Sequence, residues 1–345
     1  MRAIVVRQPG GIEAMRLENI DEPVAGPRDV VIKVEACGVC FHDVLTRNGT
    51  LKAGVKMPCV LGHEISGSVA EVGREVTRFK AGDRVATAQR YHICGSCRFC
   101  RSGREALCAE RKFLGDWGLV GGYAEYVAVE DDNVALVPAG VPLADASIAS
   151  CAIGTLLNAV RDVGRLKMGE SALITGAGGG LGLHGIQLAR LAGAHVIAQT
   201  TSAEKVALIR EMGAHEVVVH ARGEDFSGEV KRLTEGRGVD VLLDNVGTPL
   251  FEPMRRSLGV AGRWILIGQL SGEFIQFNPA QLFLKNQSML AVTSTSRNQL
   301  EDVLQLMSRG ALRAVVTREL PLEQAGEAHS AVEAGRAAGR ILLRP

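Results

Sequence analysis

Four thiols stand close together in the run Cys94-Gly-Ser-Cys97-Arg-Phe-Cys100, closed by Cys108 after seven residues. Such spacing suits tetrahedral thiolate coordination, the chemistry of a structural zinc with no open position. A bacterial iron–sulfur run would place its fourth cysteine after three residues and follow it with Pro; here seven intervene and Ala109 follows. Disulfides are the remaining alternative, and they belong to oxidising compartments. Zinc is the expected occupant. Arg98, Arg101 and Arg104 lie among the ligands, where they could offset the charge of a zinc tetrathiolate.

A second chemical signature is the glycine run Thr175-Gly-Ala-Gly-Gly-Gly-Leu-Gly182, directly after an apolar stretch and directly before an amphipathic one. Glycines there allow a tight turn and let backbone N–H groups approach a pyrophosphate at a helix N-terminus. The run departs from GxGxxG only at its first position, Ala177, which still fits a tight turn. Ala177, Gly179, Gly180, Leu181 and Gly182 are therefore candidate dinucleotide contacts, against the plainer reading of a packing turn. An NAD-type site would place Asp or Glu about 20 residues on, for the ribose 2′-OH. This chain instead has Thr200, Thr201 and Ser202, with Lys205 following. Hydroxyls and a lysine favour a 2′-phosphate, so NADP(H) is expected over NAD(H). Thr201 and Ser202 would also serve to cap the next helix.

These motifs need a scaffold. At 345 residues the chain suits two domains. Val30–Val34 and Gly67–Val72 read as strands in a β-rich first zone with loops, to about Ser150. Beyond it, apolar runs (171–175, 196–198, 217–219, 241–243, 264–267) alternate with helix-length segments. That alternation predicts a parallel sheet covered on both faces, a doubly wound α/β fold. A helix over 297–308 and a closing strand at Arg340–Leu343 end the chain. No internal repeat or low-complexity tract is present.

Composition narrows the partners. Lys and Arg number 39 against 38 Asp and Glu, so no basic surplus is available for nucleic acid or a membrane surface. Aromatics at 4% argue against an array of base-stacking platforms. The N-terminal apolar run is too short for a signal peptide, and no stretch suits a membrane span. A cytoplasmic, reduced protein is expected, in which cysteines serve as metal ligands or free thiols.

Cys40-Phe-His42-Asp43, Gly62-His63-Glu64 and Cys151 are individually unspecific. Together with the four-cysteine lobe and the glycine loop, in this order, they closely resemble the zinc-containing medium-chain dehydrogenase/reductase family, the alcohol dehydrogenases. The resemblance covers essentially the whole chain. It implies a catalytic zinc held by Cys40, His63 and Cys151, with a fourth position open for water or substrate. Glu64 would be an adjacent carboxylate and occasional ligand, and Asp43 would orient the His63 ring. Arg340 matches the family's pyrophosphate-contacting arginine; Val246 and Ile267 to Gln269 match its nicotinamide-contacting stretches.

The resemblance further implies a GroES-like catalytic domain (1–149 and 295–345) around a Rossmann domain (150–294), with the active site in the cleft between them. Tyr91, His92 and Trp117 would wall the pocket. The strand 288–293 would edge the cofactor sheet, and a homodimer or homotetramer is expected. The implied activity is reversible hydride transfer between NADP(H) or NAD(H) and an alcohol, aldehyde or ketone. One position departs: the family carries Ser or Thr two residues after the first cysteine, and this chain has His42. An imidazole could shuttle the proton itself, or simply wall the pocket. The same departure, with Thr200-Thr-Ser-Ala-Glu-Lys205, resembles the acryloyl-CoA-reductase-like branch, so reduction of an activated C=C is the alternative. A non-enzymatic redox or nucleotide sensor would bind nucleotide without turnover and hold one zinc. Cys37 and Cys59 are left as core or free thiols.

Overall fold

The computed structural model describes residues 1–345. Two compact units divide the chain: Met1–Gly154 with Ser294–Pro345, and Thr155–Thr293. The crossings thus fall at 154/155 and 293/294, where the sequence suggests 149/150 and 294/295. Cys151, expected to open the cofactor segment, therefore belongs to the first unit. It sits in a buried helical stretch, Ala149–Gly154, whose last residue packs tightly. A Cβ at Gly154 would lie 2.4 Å from Thr295 Oγ1.

The first unit is built on a seven-stranded sheet. Its long strand Asp29–Gly38 pairs antiparallel with Glu64–Val72, with Tyr126–Glu130 and with the C-terminal strand Arg340–Arg344. Val316–Pro321 pairs parallel beyond that last strand. The return segment thus completes the sheet that the first residues begin. Alternate side chains of Asp29–Gly38, such as Val30, Ile32 and Val34, enter a core shared with Ile65, Val69, Val127 and Ile341. The expected all-β character is broken by the helices Phe41–Arg47 and Leu143–Ser147. The first of these carries His42 and Asp43 directly after Cys40. A further helix, Ala325–Glu333, lies in the return segment.

The second unit is a six-stranded parallel sheet. Its spatial order is Glu216–Val219, His195–Thr200, Ser171–Ile174, Val239–Asp244, Leu258–Leu266, Ser288–Ala291. In order of sequence within the unit this is 3-2-1-4-5-6, the doubly wound arrangement. The order reverses between Ser171–Ile174 and Val239–Asp244, and ligands of such sheets bind beyond the strand C-termini at that point. Both central strands are apolar and fully buried over Ala172–Ile174 and Val241–Leu243. Ser288–Ala291 occupies one edge, as its sequence suggests. No helix is long and apolar enough to cross a membrane.

Close strand contact in the first unit depends on Gly67, where a Cβ would fall 2.0 Å from the Lys33 carbonyl oxygen. Gly67→Ala is expected to destabilise the chain by roughly 1–3 kcal/mol, the usual cost of overpacking. Urea unfolding with an unchanged midpoint would contradict it.

Candidate active site

Asp43 organises the metal-binding end of the first unit. It is buried, and its Oδ2 accepts the Cys40 N–H at 2.9 Å, which starts the helix Phe41–Arg47 with Cys40 as its capping residue. Oδ1 accepts the Gly62 N–H at 3.2 Å and lies 3.1 Å from His63 Nδ1. Burial works against the charge of Asp43, yet attraction to His63 and the hydrogen bond with it hold the carboxyl well below its usual range. With Nδ1 turned to Asp43, His63 presents Nε2, a buried atom with no hydrogen-bond partner. Gly62 makes this turn possible: its φ is +97°, and a Cβ there would lie 2.6 Å from the Tyr123 ring.

The ligand atoms of Cys40, His63, Glu64 and Cys151 all lie within 4.8 Å of one another, and all four residues are buried. Cys40 Sγ and Cys151 Sγ are 3.9 Å apart. Two thiolates about 2.3 Å from a tetrahedral zinc stand about 3.8 Å apart, so one ion fits between them. The orphaned His63 lone pair completes a Cys–His–Cys set suited to zinc. Glu64 Oε2 is likewise buried without a partner.

Arg340, expected at a pyrophosphate, is tied here to the Cys40–Glu64–Cys151 cluster. Its guanidinium is buried, donates to Glu64 Oε1 at 2.7 Å, and lies 3.6 and 3.9 Å from the sulfurs of Cys40 and Cys151. The pairing of Leu342 with Gly38 brings the closing strand beside this centre and carries Arg340 to it. Burial raises the Glu64 carboxyl above its ordinary range, while Arg340 opposes that rise.

The four-cysteine lobe is also assembled. Cys94, Cys97, Cys100 and Cys108 place their sulfurs within 4.8 Å of one another, with neighbouring pairs at 3.5 to 3.9 Å. Backbone N–H groups of Cys97 and Ser96 pull the Cys94 thiol down to about 6, toward the thiolate a metal needs. Arg98 and Arg104 stack on the Phe99 ring. The buried cation beside the lobe is Arg90, which sequence reasoning missed. Burial lowers it to about 10, while Glu105, Cys100 and Cys108 oppose that drop. It also donates to Ser294 Oγ and the Thr295 carbonyl. Nothing in the tripeptide around Arg90 marks it, since its role comes from strand pairing. Cys37 and Cys59 are fully buried; burial raises both thiols, Cys59 to about 12, so neither is a reactive thiolate.

His42 lies beside the metal ligands, its ring 5.1 Å from that of His63 and 4.9 Å from Phe113. Its Nε2 is 2.8 Å from Asp116 Oδ2, and Thr46 Oγ1 donates to Asp116 Oδ1 at 2.8 Å. Asp116 was not legible in the sequence, lying 74 residues from its partner. Of the expected pocket walls, His92 is held by Glu130 at 2.8 Å. Tyr91 packs under Lys112, and Trp117 lies between Lys56 and Lys112. Besides His63, Phe113 and Asp116 are side chains that meet His42.

In the second unit, Gly179 caps the helix Gly180–Leu191. Gly176 has φ +58° and donates its N–H to Gln199 Oε1 at 3.1 Å. Gln199 is held in turn by His220, whose Nε2 is 2.7 Å from Gln199 Nε2. Ala177 is buried and donates its N–H to the Gln199 carbonyl. The Lys205 stem lies over the loop, since a Cβ on Gly178 would meet Lys205 Cδ at 2.6 Å. Thr200 Oγ1 accepts the Ser202 N–H, and Thr201 is exposed. Asp244 Oδ1 accepts the N–H groups of Val246 and Gly247, and the Asp244 carbonyl accepts that of Ile267. Gln269 Oε1 accepts the Thr248 N–H. Val246 and the Ile267–Gln269 stretch therefore meet at the C-terminal ends of adjacent strands.

Residues 26–139 match the alcohol dehydrogenase GroES-like domain, and residues 180–309 the zinc-binding dehydrogenase family. An acryloyl-coenzyme A reductase of Sulfurisphaera tokodaii is 32% identical over 100% of both chains. An NAD-dependent alcohol dehydrogenase of Sulfolobus acidocaldarius is 32% identical, over 100% of this chain and 99% of its own. Among solved structures, that of AibC is 41% identical with a TM-score of 0.92, over 100% of this chain and 96% of the other.

Gly182 closes the loop against the helix: a Cβ there would lie 2.5 Å from Ala177 Cα and from the Gly176 carbonyl oxygen. Gly182→Val is expected to weaken dinucleotide binding at least about tenfold by pushing the loop off its anion-binding geometry. Fluorescence titration with NADPH and NADH checks this, and unchanged affinities for both would count against it.

Proposed function

The chain belongs to the zinc-containing medium-chain dehydrogenase/reductase family, and on that premise we propose that it is a zinc-dependent, NADP(H)-preferring alcohol dehydrogenase. It would interconvert an alcohol and its aldehyde or ketone by reversible hydride transfer. The observation that carries this reading is the buried Cys40–His63–Cys151 donor set with its orphaned Nε2. Zinc held by those residues would polarise a substrate oxygen, and a bound nicotinamide would exchange the hydride. A second zinc would be held by Cys94, Cys97, Cys100 and Cys108, in a structural role.

The chain's own residues supply the remaining chemistry. Asp43 holds the His63 ring, and Arg340 with Glu64 balances charge around the two thiolates. His42 replaces the usual hydroxyl. Its Nε2 faces a carboxylate, which can only accept, so Nε2 carries the proton and Nδ1 is the basic nitrogen. His42 would then take the alcohol proton during oxidation and return it during reduction, with Asp116 stabilising the charged ring. Lys205, over the glycine loop, with Thr200, Thr201 and Ser202, supports recognition of a 2′-phosphate. The edge strand Ser288–Ala291 supports a homodimer or homotetramer.

Reduction of an activated C=C is the second reading, favoured by the likeness to the acryloyl-coenzyme A reductase and by His42 in place of the hydroxyl. Oxidation of NADPH measured with aldehydes, ketones, enones and acryloyl-CoA separates the two. Consumption of the C=C substrates alone would replace the alcohol reading.

His42→Ala is expected to lower kcat for alcohols by about 10²–10⁴, the usual range for general acid–base catalysis, with cofactor affinity little changed. An unchanged kcat would remove His42 from the mechanism. Elemental analysis of Cys151→Ala should find one zinc per chain where the parent holds two; two in the variant would overturn the ligand assignment. Lys205→Ala should raise KM for NADPH far more than for NADH. A higher kcat/KM with NADH in the parent would refute the cofactor preference.

A further inference from the structure

Asp43 is the inner end of a hydrogen-bonded chain that runs from the metal centre into the apolar core. Tyr123 Oη donates to Asp43 Oδ2 at 3.3 Å and lies 3.1 Å from His329 Nε2. On the other side of that ring, Arg47 Nη1 is 3.4 Å from His329 Nδ1, and Arg47 Nη2 donates to Glu333 Oε1 at 2.7 Å. Tyr123 and His329 are fully buried, Arg47 nearly so, and Glu333 is exposed.

The donors and acceptors allow one arrangement. A guanidinium only donates, so His329 Nδ1 is an acceptor and the neutral ring carries its proton on Nε2. Nε2–H therefore donates to Tyr123 Oη, whose single proton goes to Asp43. Burial, with Arg47 alongside, lowers His329 to about 4, against the pull of Asp43 and Glu333, in keeping with a neutral ring. From Arg47 inward, every bond points the same way, toward the Asp43 carboxylate. The chain cannot drain a proton from the metal, because His63 already carries one on Nδ1 and offers Nε2 as ligand. Its effect must be positional.

We infer that Tyr123 and His329 are positioning residues: they fix the Asp43 carboxylate against His63 Nδ1–H and so set how tightly the Cys40–His63–Cys151 centre holds zinc. This rests on the zinc reading above. The alternative is a polar pair that only fills core space.

The test uses the zinc-loaded protein and its Tyr123→Phe, His329→Leu and His329→Gln variants. Zinc is counted by elemental analysis, and affinity is measured by chelator competition, with thermal midpoints in parallel. Tyr123→Phe and His329→Leu should weaken one zinc about tenfold, the low end for outer partners of a metal ligand, and leave the other unchanged. His329→Gln keeps an N–H for Tyr123 and should recover most of the loss. Unchanged zinc affinity in Tyr123→Phe and His329→Leu overturns the inference, whatever happens to the midpoints. Equal losses in His329→Gln and His329→Leu overturn it too. If His329→Leu does not fold, Tyr123→Phe, which removes a single oxygen, decides. A parent with only one zinc would sink the zinc reading, and this inference with it.

Discussion

A buried carboxylate must be surrounded by donors, and satisfying Asp43 shapes the whole metal-binding end of the first unit. Leaving such a charge unpaired costs about 3–5 kcal/mol. Asp43 receives the N–H of Cys40, the N–H of Gly62, the ring of His63 and the hydroxyl of Tyr123. Those four donors come from a helix start, a left-handed turn and a distant loop. Fixing them around one carboxylate also fixes Cys40 and His63, which lie 23 residues apart in the chain. The cost of burying the charge thus enforces the geometry a metal site needs.

The second unit uses the same device. Asp244 is buried at the C-terminal end of a central strand and accepts from Val246, Gly247 and the Trp264 indole. Burial raises this carboxyl, and the bonds from Gly247 and Val246 oppose the rise. The constraint holds the Val246 turn beside the glycine loop, where a Cβ on Gly176 would meet Val246 Cγ2 at 3.1 Å. In each unit a buried carboxylate anchors irregular backbone next to the candidate metal- or cofactor-binding residues. Such backbone has no ladder to stabilise it and needs side-chain acceptors instead.

Much of this was legible from local pattern. The cysteine spacing, the glycine run and the alternation of apolar strands depend on neighbours in sequence, and the assembled lobe, loop and parallel sheet follow from them. Asp116, Arg90, His220 and His329 were not legible. Each meets its partner through tertiary packing: Asp116 acts on His42 from 74 residues away, and His329 reaches Arg47 across 282. A lone Asp or His in a polar stretch carries no signal of such a partner. The helix Phe41–Arg47 was hidden for another reason. Its start depends on a bond from the Cys40 backbone to Asp43, while neighbouring segments read as strand and loop.

Arg340 shows how tertiary packing adds contacts to a residue that a motif identifies. A guanidinium removed from water needs an anionic partner, and the groups that Arg340 reaches are Glu64 and the thiols of Cys40 and Cys151. Arg340 opposes the burial that raises Glu64, and it favours the ionised form of both sulfurs. The hydrogen bond with Cys40 and burial nevertheless hold the Cys151 thiol well above its ordinary range. A zinc ion held there would supply two positive charges, and the guanidinium would then be one of three positive charges facing two thiolates and one carboxylate. Glu64 Oε2 would then be the acceptor of this group still lacking a donor, with Glu64 Oε1 bound to Arg340 and His63 Nε2 available as a ligand. A carboxylate set between such a cation and the guanidinium could serve either, in keeping with the occasional-ligand role expected of Glu64.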